Sequence, residues 1–284
     1  MKVLVALLMV ACTTTMFAQD AEADSSASND AFDMSMGFTT SQPFFRPLGG
    51  ITSWSLQDAS DIENSITFGA VLGFESTKNI PNSSIAKNQA NGLYVTYHSA
   101  GDVNDATYAL QAWRFGFSSS ESYGYRFSND GEAGIYLGST KAPLSWYSVS
   151  VEGVPTNPSG LAAISRFPDA LRFGEAATAN VDIRVAGPVS VNLGYEWAQV
   201  YERHLFWYWG LSSIIEGLAD GAAGWFTRSI GKSSPAALPV MHFILRNAIA
   251  MGFKALRMEQ MNWPFTTVAP LNIQTINLGV NVVF

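Results

Sequence analysis

The last nine residues constrain the fold of this chain more than any other segment. Residues 276–284 alternate between apolar and polar or small side chains, and the sequence stops on an aromatic residue. Successive side chains of a strand point to opposite faces, so this segment has one apolar face and one polar face. The apolar positions are Ile276, Leu278, Val280, Val282 and Phe284, and the polar face carries Asn277, Gly279 and Asn281. The pattern predicts a strand of a half-buried sheet.

This terminal strand resembles the closing strand of bacterial outer-membrane β-barrels. The resemblance implies that Leu278, Val280, Val282 and Phe284 form the signal that the barrel-assembly machinery reads during biogenesis. It also implies an address in the outer membrane of a Gram-negative envelope, with outer-membrane lipid as the surrounding partner. The alternative is an ordinary C-terminal strand of a soluble β-sandwich.

The N-terminus has the layout of a secretory signal peptide. Lys2 precedes a short apolar run at residues 3–10, and Ala18 offers a cleavage site. The run is too short to span a membrane as a helix. Cleavage there removes Cys12, the only cysteine, so we expect no disulfide and no cysteine metal site in the mature chain. A loose resemblance to a lipoprotein box leaves lipidation of Cys12 as the alternative.

Composition narrows the class of protein further. Charged residues make up 14% of the chain, against about 25% in soluble domains. Aromatic residues and glycines are plentiful, as lipid-facing strands and interfacial girdles require. The net charge of −7 and the absence of a basic run exclude nucleic acid as an expected partner. No apolar stretch after the signal peptide reaches about twenty uncharged residues, so a helical membrane span is not the first interpretation.

Alternating segments recur along most of the chain after a disordered acidic leader at residues 19–31. Turn-rich pieces separate them, and no βαβ alternation points to a parallel sheet. We therefore predict an all-β, transmembrane, antiparallel β-barrel of about ten strands, with eight to twelve compatible. The segments are 32–38, 66–74, 93–97, 106–118, 123–127, 133–137, 147–151, 179–185, 189–197 and 276–284. Barrel strands would occupy residues 32–203, and 261–284 would hold the closing strand.

The clearest hairpin lies at residues 179–197. Pairing Val185 with Val189 keeps both apolar sets on one side and leaves residues 186–188 as a three-residue turn. The opposite face then carries polar and charged side chains, which is the pattern of a barrel with an apolar exterior and a polar lumen. The lumen-facing candidates are Asn180, Asp182, Arg184, Asn192 and Glu196, together with Asn277 and Asn281 of the closing strand.

Residues 204–260 predict a helical hairpin inserted before the last strand. At about 100° per residue, one helix gathers Glu216 and Asp220 on one stripe, and the next gathers His242, Arg246, Lys254 and Arg257. These acidic and basic stripes suggest an antiparallel pair that bridges itself or faces a polar lumen wall. Since the remaining surface is apolar, the pair must be buried. We expect a lumen plug or cap, and a membrane-embedded hairpin or a partner-binding module are the alternatives.

Catalytic and metal-binding motifs are weak in this sequence. His98 and Ser99 are adjacent, so a strand would send their side chains to opposite faces, which does not suit a nucleophile and its base. No phosphate loop, zinc spacing or calcium loop occurs. We therefore expect no enzyme activity, no catalytic residue, no metal and no cofactor.

The sequence thus predicts an outer-membrane β-barrel with a porin-like passive transport role or a structural role in the envelope, plugged or capped by its helical insertion. Two alternatives remain. An outer-membrane lipid-modifying enzyme would bring a Ser or Thr, a His and a carboxylate together at one rim. An assembly or adhesion factor would bind a protein partner through residues 204–260.

Overall fold

The structure is a computed structural model that describes residues 41–59, 62–101, 108–127, 133–153, 158–168, 170–203 and 205–284. The predicted signal peptide, Cys12, the acidic leader and the strand predicted at residues 32–38 lie outside the described residues.

Eight antiparallel strands close into one barrel, in which each strand pairs with its neighbours in sequence and β1 pairs with β8. The predicted strand number of about ten is therefore wrong, whereas the helical insertion before the last strand is confirmed. The strands are β1 (Gln42–Ser55), β2 (Ser65–Asn79), β3 (Ile85–His98), β4 (Ala109–Arg126), β5 (Gly134–Glu152), β6 (Leu171–Ala186), β7 (Val189–Tyr201) and β8 (Leu271–Val283).

Two long strands account for part of the overcount. Apart from residues 106–107, which lie outside the described residues, the segments predicted at 106–118 and 123–127 fall almost entirely in the single strand β4, and those at 133–137 and 147–151 fall almost entirely in β5. The polar interval Ser118–Ser122, which lies around the boundary of the two predicted segments, pairs continuously with β3. The strand β1, with Pro43 and Pro47 inside it, has no counterpart among the predicted segments.

The two ends of the barrel differ. The end that holds the start of β1, the end of β8 and the short β6–β7 turn is called here the lower end. The opposite, upper end carries the short helix α1 (Pro158–Ile164) and both connections to the helical insertion. Gly187 occupies the lower turn with a φ of +63°, a left-handed conformation that favours glycine.

The strands carry apolar side chains on the outer surface and mostly polar ones inside. Leu72 and Leu278, for example, are 60% and 57% exposed, whereas the inward Asn281 is 1% exposed. This arrangement inverts that of a water-soluble barrel, whose apolar side chains fill the interior. The exposed outward set includes Ile51, Ile66, Phe68, Leu72, Phe74, Leu93, Val95, Trp113, Phe115, Phe117, Ile183, Val191, Leu193, Tyr195, Ile276, Leu278 and Val280.

Side chains fill the lumen along its height. Near the upper end, Trp54, Leu110 and Ile273 form an apolar cluster with Ile164 and Phe167, which belong to α1 and the turn after it. Below this cluster the lumen is polar and hydrogen-bonded. The upper end is therefore sealed by α1, a segment that was not predicted to act as a cap.

Inward glycines make room for tyrosine rings that cross the lumen. A Cβ at Gly124 would lie 2.4 Å from the ring of Tyr136, and one at Gly174 would lie 2.7 Å from the ring of Tyr147. Both tyrosines are fully buried. Since a β-carbon cannot fit at these glycines, the ring positions depend on them.

The β6–β7 hairpin has the predicted register except at its turn. Asn180 pairs with Gly194, Asp182 with Asn192 and Arg184 with Ser190. A register shift after Arg184 then pairs Ala186 with Val189 instead of Val185 with Val189. The extra residue is absorbed as a bulge, so the predicted three-residue turn is wrong.

The insertion folds as two long helices, α2 (Phe206–Ser233) and α3 (Leu238–Leu256), joined by a 3₁₀ turn at Pro235–Ala237. Helix α3 contacts β4, β5, β6 and β7. Leu238 packs on Tyr123, and Lys254 contacts Glu175.

Strand alternation shows on which side of the wall these contacts lie. Tyr123 has the same parity as the exposed Phe115 and Phe117 of β4, and Glu175 has that of the exposed Ile183 of β6. Pairing along β4 with β3 and along β6 with β7 is continuous over these stretches. The hairpin therefore lies on the outer wall, and the predicted lumen plug is wrong, because the lumen is already occupied by strand side chains and α1.

Candidate functional site: a polar seam between hairpin and barrel wall

The outer wall beneath the hairpin is charged where the rest of the barrel exterior is apolar. Four wall residues on consecutive strands share this surface: Lys87, Glu121, Lys141 and Glu175. They meet six hairpin residues, Glu216, Asp220, His242, Arg246, Lys254 and Arg257. We call these ten residues the polar seam.

The lower part of the seam centres on Glu121. Its carboxylate lies 2.9 Å from Lys87 Nζ on the neighbouring strand and 3.5 Å from Arg246 Nη2 on α3. The ring of His242 packs edge-on against Tyr123 with centroids 4.7 Å apart, and its Nε2 lies 3.9 Å from Glu121. This part fixes the start of α3 against β3 and β4.

The middle of the seam joins both helices to the wall. Asp220 of α2 accepts a hydrogen bond from Arg246 and lies 3.0 Å from Lys141 Nζ. Asn247 donates to the backbone carbonyl of Gly138 at 3.2 Å. Asp220 thus contacts a basic residue of α3 and one of the wall.

The upper part of the seam is the most deeply buried. Glu175 contacts Lys254 at 2.5 Å and Arg257, and all three side chains are less than a tenth exposed. Arg257 also reaches Glu216 at 2.7 Å and donates to the Ser212 hydroxyl at 2.9 Å. Such charges are tolerated in an interior only when they are paired and hydrogen-bonded.

These contacts show where the predicted helical stripes lie. The acidic stripe of α2 and the basic stripe of α3 bridge each other through Asp220–Arg246 and Glu216–Arg257. They face the outer wall of the barrel, not the lumen. The seam holds opposite charges in contact along the length of α3, so these ion pairs join the hairpin to the barrel wall.

The predicted lumen residues lie inside the barrel. Asp182 accepts hydrogen bonds from Asn192 at 2.8 Å and from Asn180 at 3.0 Å, and Asn277 is also buried. A second group joins Glu75 to Arg184 at 2.9 Å and to Asn281 at 3.0 Å.

Higher in the lumen, Glu196 pairs with Arg114, whose guanidinium also lies over the ring of Tyr94 at 4.5 Å. These groups satisfy one another and fill the space that an open channel would need. Glu75 and Arg114 were not among the predicted lumen residues.

The features expected of a lipid-modifying enzyme are not brought together. His98 lies in the lumen, where its Nδ1 is 2.7 Å from Thr67 Oγ1 and 3.2 Å from Thr52 Oγ1. No carboxylate hydrogen-bonds to His98 within the part of the chain that the structure describes. Ser99 instead donates to the carbonyl of Ile66.

Metal-binding side chains do not cluster in the described ranges of the chain. In them, no group of three or more His, Cys, Asp or Glu side chains is arranged to hold a metal ion.

The terminal strand presents the predicted assembly-signal residues on the outer surface. Leu278 and Val280 are exposed, Val282 is half-buried, and Phe284 is 72% exposed. The Phe284 amide donates to the carbonyl of Pro43 at 2.9 Å, which holds the last residue against β1.

Sequence reasoning missed the wall side of the seam. Lys87, Glu121, Lys141 and Glu175 each sit at an outward position of a strand that also carries outward apolar residues, such as Leu93, Phe115, Leu137 and Ile183. A charge that breaks such a pattern is a signal of a covered wall, but it becomes visible only once the strand boundaries and their parity are known.

The chain resembles known proteins in structure but matches none of them in sequence. No family profile matches the sequence, and no curated protein matches it significantly. Among solved structures, Neisserial surface protein A (NspA) aligns at 12% identity with a TM-score of 0.36, covering 85% of this chain and 97% of that chain.

The strand order and the hairpin define the structural class of this protein. The described chain is a closed, eight-stranded, antiparallel β-barrel that carries a helical hairpin on its outer wall.

Proposed function

We propose that this protein is an integral β-barrel of a bacterial outer membrane that serves the envelope as a structural, non-conducting component. Its partners are the surrounding lipids and, during biogenesis, the barrel-assembly machinery acting on the terminal strand.

One observation carries the proposal: the barrel is apolar outside and polar inside. The outward residues of β2, β3, β4, β7 and β8 form a broad apolar surface that would be costly to expose to water. A closed barrel also satisfies every backbone polar group without an open edge, which is the condition for a sheet to cross lipid. Each strand has 13 to 19 residues, and about 9–11 suffice to cross a bilayer.

The lumen supports a structural role over passive transport. Eight strands enclose an interior just wide enough to be filled by side chains. Here the pairs Arg114–Glu196 and Arg184–Glu75 occupy that interior, and the apolar cluster with Phe167 seals its upper end.

The surroundings of His98 do not support a catalytic role. The described residues bring no carboxylate to His98, and the histidine is 1% exposed inside the barrel. We therefore retain the expectation that the protein is not an enzyme.

Fractionation and electrophoresis test the membrane assignment. We expect the protein to sediment with outer membranes, to resist carbonate extraction and to migrate faster on gels before heating than after. In planar bilayers the purified protein should give no steady conductance. Recovery as a soluble periplasmic protein would overturn the assignment, and a large steady conductance would overturn the closed lumen.

A matched pair of lysine substitutions tests the apolar exterior directly. Leu278→Lys places a charge in the proposed lipid belt, at a cost of about 2–4 kcal/mol near the bilayer midplane. Gln57→Lys places the same charge on an exposed loop at the upper end. We expect the first variant to lose folded protein and the second to match the parent. Equal folding of both would show that Leu278 faces water.

A further inference from the structure

The helix α2 has an apolar stripe on the side that faces away from the barrel. At about 100° per residue, Trp207, Ile214, Leu218 and Trp225 fall within a narrow angular range, and Glu216 falls opposite them. Leu218 is 71% exposed. A Cβ added at Gly217 or Gly221 would meet nothing within 4 Å, so no described part of the chain covers this face.

The length of this stripe matches a membrane. Trp207 and Trp225 are 18 residues apart, which at 1.5 Å per residue is about 27 Å along the helix. The apolar band of an outer-membrane barrel is about 25 Å tall and is flanked by aromatic girdles. Arg228 and Lys232 follow Trp225 at the lower end and are exposed.

The partner helix has the dimensions of a membrane span. Residues Pro235–Leu256 form the one helix of the described chain that is long and apolar enough to cross a bilayer. Its Val240 and Ile244 are exposed on the side away from the wall. Its ends contact Tyr123, near the lower end of β4, and Glu175, near the upper end of β6. The helix thus runs along most of the height of the barrel wall.

Charged side chains on the hairpin would be costly to place in lipid, and the seam pairs them away from it. Every charged residue of the hairpin between Trp207 and Trp225, namely Glu216 and Asp220, points at α3 or the wall and is paired there. The wall supplies Lys87, Glu121, Lys141 and Glu175 as partners. Ionisable side chains in a membrane protein normally face the protein interior and pair in this way.

We propose that the hairpin crosses the membrane beside the barrel, with its outer face in contact with lipid acyl chains and its polar face docked on the barrel wall. This inference rests on the proposed membrane location of the barrel. The protein then combines a transmembrane barrel with a transmembrane helical pair. Where the hairpin docks, the barrel wall contacts the ion pairs of the seam and not lipid. The apolar face of α2 is committed to lipid, because it continues the apolar exterior of the barrel and has the length of its band.

Spin-label accessibility in lipid vesicles tests this placement. Single cysteines are introduced in a Cys12→Ser background at Leu218 on α2 and at Leu278 on the barrel, each labelled with a nitroxide. Collisions with oxygen report lipid, and collisions with a water-soluble nickel chelate report water. Both positions are highly exposed, so the label displaces no core contact. Heat-shift electrophoresis identifies folded protein in each sample.

We expect both labels to be oxygen-accessible and shielded from nickel, with labels at Trp207 and Trp225 shallower than the one at Leu218. Nickel access at Leu218 with a lipid-facing Leu278 would overturn the hairpin placement and leave the barrel assignment intact. Shielding of Leu218 from both agents would also overturn it, in favour of a second copy or a protein partner on this face. Nickel access at Leu278 would overturn the proposed function itself.

Discussion

Glu175 is the residue on which the upper half of the seam depends. Its carboxylate is the partner of both Lys254 and Arg257, and all three are buried against the outer wall. Removing one member of such a group leaves the others charged and desolvated, which typically costs about 3–5 kcal/mol.

We therefore expect Glu175→Leu to lower the free energy of unfolding by about this amount, measured by urea titration in lipid vesicles. Glu259→Gln, which changes an exposed carboxylate, should stay within about 0.5 kcal/mol of the parent. Replacing Glu175, Lys254, Arg257 and Glu216 together by apolar residues should recover much of the loss, because no charge of this group is then left unpaired. If Glu175→Leu and Glu259→Gln unfold alike, the seam contributes little to stability.

Phe284 is a residue whose proposed role lies outside the contacts of the folded protein. Its side chain is largely exposed, while its backbone amide bonds to Pro43. The resemblance to outer-membrane barrels implies that the aromatic ring is read during assembly.

Phe284→Ala keeps the backbone hydrogen bond and removes only the ring, so it isolates this role. We expect it to reduce the amount of folded protein in the outer membrane, while Phe284→Tyr remains near the parent level. Quantitative blots of membrane fractions measure the difference. Equal levels in all three proteins would mean that the ring has no part in assembly.

At the scale of elements, the sequence predicts the strands best where their outer face is exposed and apolar. The β6–β7 hairpin and β8 alternate cleanly, and their registers follow from parity. The central parts of β4 and β5 do not alternate cleanly, because a register shift between Ala142 and Ser145 reverses the alternation of β5, and because Glu121 and Lys141 face the hairpin.

The position of the helices could not be derived from their own stripes. A basic stripe on α3 fits a polar lumen as well as a polar outer wall, and only the outward parity of the wall residues that it contacts shows which of the two it faces. The predicted pairing of the two stripes rests on nearby residues in sequence, whereas the contact of Lys254 with Glu175 spans 79 positions.

Excision of the hairpin separates its role from that of the lumen. Val200 and Leu271 are paired across β7 and β8, so a short linker can replace residues between them without altering the barrel register. We expect the excised protein to remain non-conducting in planar bilayers, because α1 and the strand side chains seal the lumen. A clear rise in conductance would show that the hairpin does block a channel.

The same excision should reduce folded protein, because it exposes the charged wall to lipid. Changing the wall residues to leucine in the excised protein should restore folding, and these residues are Lys87, Glu121, Lys141 and Glu175. Failure of that restoration would mean that the hairpin supports folding by contacts other than the seam.

At the scale of the whole molecule, the barrel carries apolar side chains on its exterior and mostly polar side chains in its lumen. The apolar surface surrounds most of the barrel, the hairpin covers the charged remainder, and the lumen is closed by its own tyrosines, ion pairs and α1. Composition and the terminal strand predicted the barrel, since low charge content and strict alternation are global features. The closed lumen and the external hairpin depend on which distant residues meet, and no local pattern encodes that.

An accessibility scan along β8 tests the central claim most directly. Single spin labels at residues 277 to 281, introduced one at a time in a Cys12→Ser background and measured in lipid vesicles, should alternate with a period of two. Leu278 and Val280 should contact oxygen dissolved in lipid, while Asn277 and Asn281 should be shielded from both oxygen and a water-soluble nickel chelate. A reversed or uniform pattern, with Leu278 and Val280 open to the nickel chelate, would contradict a barrel with its apolar face in the membrane.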